Sequence, residues 1–137
     1  ARKRPTWLGL ELVNRVMQGD MVAVDIEGER ATWTQKPINS VENEIEVPYI
    51  HAFAYRDGNK HSLVLFNLHL KDTMPVNIDI GGFKGQIALH QIAPGSLHDD
   101  NEDSDNVTIR NDSLLAGQHV SLNVPAHSLT ALSWGDK

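Results

Sequence analysis

After Gly19 the spacing of apolar residues changes from helical to alternate, and each later run is cut short by turn residues. Such a chain can fold into little besides short antiparallel strands. Val22, Val24 and Ile26 alternate with Ala23, Asp25 and Glu27 before Gly28 turns the chain toward residues 31–35. Residues 50–56 and 62–70 flank Asp57-Gly58-Asn59, and Gly and Asn accept the positive φ that a tight hairpin turn demands. Further strands are predicted at 76–80, 86–92, 107–109, 118–124 and 128–134, separated by Gly81-Gly82, Pro94-Gly95, Ala116-Gly117 and Pro125. Short strands in near-regular succession with no helix between them predict an all-β protein, an antiparallel, jelly-roll-like β-sandwich over residues 21–137.

Residues 1–20 read as one N-terminal α-helix. Thr6 is placed to cap it, and Gly19-Asp20 stops it after about Gln18. Trp7, Leu10, Val13 and Met17 make one apolar row, and Leu8, Leu12 and Val16 make another. A face that wide needs a substantial partner surface, either this chain's own sheet or a body outside it.

Bulk composition narrows the function classes. A chain of 137 residues, 40% of them apolar, can bury about two-thirds of its unfolded surface without a metal or a crosslink. It has no cysteine, which removes thiolate nucleophiles and cysteine-ligated zinc and leaves the compartment open. The formal charge of -6 and the lack of a basic stripe interleaved with aromatics argue against a nucleic-acid partner. No apolar run approaches the roughly 18 residues that cross a bilayer, and Ala1-Arg2-Lys3-Arg4-Pro5 lacks the apolar stretch of a leader peptide, so no membrane partner is expected.

Motifs with chemistry are few. Asp99, Asn101, Asp103 and Asp105 alternate as calcium ligands do, but an EF-hand loop would need Gly at Ser104 and a bidentate Glu at Arg110. The expectation is a loop whose Asn and Asp side chains satisfy their own backbone, with a structural calcium in another geometry as the alternative. None of the seven histidines forms a His-Glu-x-x-His pair, and cross-strand stacking or exposure accounts for them, so no metal site is expected. There is no Gly-x-Ser-x-Gly elbow, and Gly81-Gly82-Phe83-Lys84-Gly85 lacks the ending of a phosphate loop, so no cofactor is expected either. Asn106-Val107-Thr108 and Asn111-Asp112-Ser113 fit the glycosylation pattern, which has meaning only in a secreted eukaryotic chain. Trp7 and Trp134 suit the core or the helix interface. Trp33 and Tyr49 flank the long connection from Gln35 to Val47, which puts them at one end of the sandwich as candidate carbohydrate-binding rings.

Several of these pieces together carry a family resemblance. The segment from Arg4-Pro5-Thr6-Trp7-Leu8 to Asn14-Arg15 resembles the final helix of a (β/α)8 barrel in retaining glycoside hydrolases. The remainder is similar to the C-terminal domain of alpha-L-arabinofuranosidases, through Trp33-Thr34-Gln35, Val47-Pro48-Tyr49, Val64-Leu65-Phe66-Asn67-Leu68, His98-Asp99-Asp100-Asn101 with Asn106-Val107, and Val124-Pro125-Ala126-His127-Ser128-Leu129-Thr130.

The resemblance implies a non-catalytic accessory domain cut from a longer enzyme, with the helix's outer partner being that enzyme's barrel. Such an enzyme removes arabinofuranosyl units with two glutamates about 5 Å apart. Its ligands would be arabinose-containing polysaccharides or oligosaccharides. Asn43-Glu44 matches the acid/base pair of these barrels in letters only, since it falls in an alternating stretch with no buried strand before it and no helix after it. No catalytic residue is therefore expected in this chain. An independent carbohydrate-binding module is the competing reading, and an aromatic content of 6% leaves it a small ring platform.

Overall fold

Pro5 sets the start of the helix. Its fixed φ suits the first helical position and its missing N–H is one the helix would leave unpaired anyway, so the cap falls on Arg4 (φ -67, ψ 153) and not on Thr6, which lies inside the first turn. The computed structural model, which describes residues 2–28 and 30–135, has this helix, α1, over Pro5–Val16. It ends two residues ahead of Gln18, where Gly19 takes a positive φ of 79.

Among the described residues ten strands follow: β1 Asp20–Val22, β2 Thr32–Gln35, β3 Ile45–Pro48, β4 Ile50–Asp57, β5 Lys60–Asn67, β6 Met74–Ile78, β7 Gln86–Ile92, β8 Arg110–Leu115, β9 Val120–Val124 and β10 Ser128–Gly135. Six of them form the central sheet in the order β1-β4-β5-β10-β7-β8, with every neighbour antiparallel. The hairpin β4–β5 closes over Gly58-Asn59, with Asp57 opposite Lys60. Two small antiparallel pairs, β6–β9 and β2–β3, make up the rest.

Register decides which side chains meet. Leu63, Leu65, Ile87, Leu89 and Leu132 point to one face of the central sheet, and Val76, Ile78, Val120, Leu122 and Val124 of the β6–β9 pair pack against them. On the other face Val64, Ile92 and Ala131 receive Leu8, Leu12 and Val16 of α1, together with Val107. Fully burying a side chain such as Leu12, Val64 or Leu132 stabilises the fold by about 1.5–3 kcal/mol. The fold is thus an all-β antiparallel sandwich with one N-terminal helix, and the helix shares a core with the sheet.

Three sequence expectations shift. The helix divides within the Trp7 row: Leu8, Leu12 and Val16 are buried against this chain's own sheet with Met17 packed on them, while Trp7 and Leu10 are 57% and 53% exposed. Trp7 is therefore not a core residue here, whereas half-buried Trp134 packs on the second cluster and stacks on His61, its cross-strand partner. The strand expected through Ile26 pairs only as far as Val22, because its register on β4 ends at Ala54. The strand expected at 107–109 begins instead at Arg110. Val107 is drawn inward by the α1 cluster, and the polar run that follows it pairs with β7 as the sheet's outer strand.

Candidate functional site at one end of the sandwich

A buried asparagine organises this end. Asn67, 1% exposed at the end of β5, aims its amide nitrogen at the carbonyls of Asp72, Val124 and Pro125, each at 3.0 Å, while its oxygen accepts the N–H of His69 at 3.0 Å. A buried amide costs stability unless its hydrogen bonds are met, and these four contacts fix the loop after β5 against the link between β9 and β10. His69 is held in turn by its own ring: Nδ1 accepts the N–H groups of Lys71 at 3.2 Å and Asp72 at 2.9 Å. That leaves Nε2 to donate to the Asp72 carboxylate at 3.2 Å.

Tyr49 joins this loop to the β2–β3 pair. Its N–H donates to the Ala31 carbonyl at 3.1 Å and its own carbonyl accepts from Leu68 at 2.8 Å. Trp33, opposite Val47 in the β2–β3 register, lies 5.0 Å from Tyr49 between ring centroids with the planes at 36°. His69 also packs on Tyr49, at 4.4 Å and 46°. The two rings singled out in the sequence are thus brought together, and a third that the sequence did not single out extends the row. Each ring is half-buried, so the row offers stepped edges and partial faces, not one flat platform.

On the face of the β2–β3 pair opposite Trp33, Glu46 accepts the hydroxyls of Thr34 and of Thr32, the latter at 2.7 Å. Those donors stabilise its charged form and hold its carboxyl below the usual carboxylate range. On α1, Glu11 is lowered chiefly by the Lys3 ammonium 2.6 Å away, with Arg15 adding to the effect. Glu11 and Glu46 are thus both held in the charged form, opposite to what a general acid requires. Glu44, of the Asn43-Glu44 pair, is exposed ahead of β3 and lines neither of the surface grooves described below.

The acidic loop is knitted to its own backbone. Asp99 accepts from Ser96 N–H at 2.9 Å and Asp100 from Glu102 N–H at 3.1 Å. Asn101, 4% exposed, turns inward to donate to Lys3 and Val107 carbonyls at 2.8 Å and accept from Val107 N–H at 2.8 Å. Asp105 faces Arg2 at 3.7 Å, and Glu102 faces Arg4 at 3.0 Å. Among the described residues no three His, Asp or Glu side chains converge as metal ligands, and no helix is long and apolar enough to cross a membrane. An open groove of about 420 Å³ runs between this loop and α1, lined by Lys3, Glu11, Arg15 and Asn111 among others; a smaller apolar one of about 100 Å³ lies between Pro48 and Met74.

The architecture is that of an antiparallel sandwich braced by one helix, with an aromatic row at one end. A scan against protein-family models and a search of curated protein sequences each found no match. Solved structures do match. The chain superposes on the thermostable GH51 alpha-L-arabinofuranosidase from Thermotoga petrophila with a TM-score of 0.80 and 18% identity, over 96% of its own length and 29% of that chain. The alpha-L-arabinofuranosidase from Thermotoga maritima, solved with arabinose, gives 0.79 and 16% over 97% and 29%. A family 51 alpha-L-arabinofuranosidase from Bifidobacterium longum gives 0.78 and 15% over 98% and 26%. The chain spans less than a third of each of these enzymes. The resemblance drawn from the sequence holds at the level of fold.

Proposed function

We propose that this chain is a non-catalytic accessory domain of an alpha-L-arabinofuranosidase-like glycoside hydrolase, and that it braces the catalytic barrel of that enzyme. One observation carries the reading: nearly the whole chain superposes on arabinofuranosidases while accounting for 26–29% of their length. The exposed row of α1 supports it. Leu8, Leu12 and Val16 are taken up by the sandwich, and Trp7 and Leu10 remain as apolar surface on the same helix. The helix then serves both bodies, with Leu8, Leu12, Val16 and Met17 turned to the sandwich and Trp7 and Leu10 left for the barrel. An apolar surface of this kind suits an inter-domain face, which covers on the order of 600–1,500 Å².

The Trp33–Tyr49 edge is the part we assign to the substrate cleft, with arabinose-containing oligosaccharide or polysaccharide as its ligand. Ring faces pack against the C–H groups of a sugar, which is what the paired rings of Trp33 and Tyr49 would offer. Calorimetric titration of the purified chain with arabinan, arabinoxylan and short arabino-oligosaccharides tests this assignment. Weak binding or none by the isolated chain agrees with an edge that is completed by the barrel. Micromolar binding abolished by Trp33→Ala would replace the bracing role with that of an independent carbohydrate-binding module.

A further inference from the structure

His127 is the one described non-glycine residue besides Asn39 with a positive φ, at 38. A residue with a bulky side chain avoids that region, so its contacts hold it there. Its N–H donates to the His69 carbonyl at 2.8 Å, which ties it to the loop that carries the third ring of the row. Its own ring bridges two loops: Nδ1 lies 3.1 Å from the Leu70 carbonyl oxygen and Nε2 lies 2.9 Å from the Pro94 carbonyl oxygen.

Both ring partners are carbonyl oxygens, which only accept. A neutral imidazole carries a single N–H, so it can meet one of the two and turns a lone pair toward the other. An imidazolium carries two and satisfies both. We propose that His127 is a protonation-dependent clamp: in its charged form it pins residues 69–72 to the turn at Pro94 and so positions His69, Tyr49 and Trp33.

The charged and titratable groups around the ring leave those carbonyls as its direct partners. On the loop after β5 these groups are His69, Lys71 and Asp72, with the Asp72 carboxylate engaged by His69. After Pro94 they are His98 and Asp99, with the Asp99 carboxylate engaged by Ser96 N–H. The stretch Pro125-Ala126 ahead of His127 brings none. The geometry of the clamp stands without a ligand; its bearing on sugar affinity rests on the reading proposed above.

NMR of the intact chain, followed as pH is raised, tests the clamp. At low pH both His127 ring N–H protons should be observed and protected from exchange, and Tyr49 and His69 ring resonances should shift in step with His127. His127→Asn keeps a residue that tolerates positive φ and removes the two-ended donor, so it should lose that step. A Tyr49 step that persists in His127→Asn belongs to His69 itself and overturns the proposal, as does a wild-type Tyr49 signal that stays flat while His127 titrates. If the variant does not fold, the wild-type midpoints decide: a Tyr49 step that follows the His127 ring supports the clamp, and one that follows the His69 ring overturns it. Arabino-oligosaccharide affinity at low and at raised pH is a separate arm: binding that weakens as the pH rises is expected, and measurable binding that does not change with pH would detach the clamp from the sugar edge while the NMR titration continues to decide the clamp.

Discussion

Shortening Leu12 to alanine should destabilise the chain by about 3 kcal/mol, whereas the same change at Leu10 should cost less than about 0.5 kcal/mol. In the bare sequence these two leucines look equivalent on one helix; the fold separates them. Leu12 is 0% exposed within the cluster of Val64, Ile92 and Ala131, and Leu10 is 53% exposed. Removing three buried carbons forfeits about 2.4 kcal/mol of transfer free energy at about 0.8 per methylene, and the cavity adds to it, within the usual range of about 2–5, because Asn101 holds the Lys3 carbonyl and Ser62 the Val16 carbonyl at the helix ends. For a chain of 137 residues the unfolding entropy makes 1 kcal/mol worth roughly 3.5 °C, so Leu12→Ala should melt about 10 °C below the parent. Urea and thermal unfolding followed by far-UV circular dichroism read both quantities. Equal losses for the two variants would refute the claim that α1 shares the sandwich core.

Other changes probe the site. Asn67→Ala strands three carbonyls and the His69 N–H, so it should cost about 2–4 kcal/mol in urea unfolding; a cost below about 1 would mean that water replaces the amide without loss. Glu46 has a folded-state value below its unfolded one, so its stabilising effect on the β2–β3 pair is present above the ordinary carboxylate range and is lost as pH falls through the lowered value. Side-chain carbon NMR should place its midpoint below that of an unstructured glutamate, and Thr34→Val should move it upward. Trp33→Ala, on a strand that pairs with β3, should reduce activity of the proposed parent enzyme more than it reduces stability of this chain; equal losses would remove the proposed cleft role.

Where turn chemistry and apolar alternation agree, the fold was legible. Asp57-Gly58-Asn59 marks the β4–β5 hairpin, and β7 and β10 fall where alternation and flanking glycine or proline place them. β8 escaped because Arg110-Asn111-Asp112-Ser113 has no apolar face to betray it; an outer strand needs only a partner's backbone. Alternation at Val24 and Ile26 signals extended backbone but carries no information on whether a neighbour is present to pair with it. Trp33 and Tyr49 could be named because aromatics flanking a long connection tend to meet at a sandwich end. His69 could not, because its place in the row follows from Asn67 folding the next loop back, a contact across 57 positions to Val124.

An accessory domain has no glycosidase chemistry of its own, and the rate at which the purified chain hydrolyses a chromogenic arabinofuranoside decides whether that is so. The expected rate equals that of buffer at every protein concentration. A rate proportional to the amount of this chain, and lost on changing one of its carboxylates to the amide, would place the catalytic groups here and overturn the accessory role.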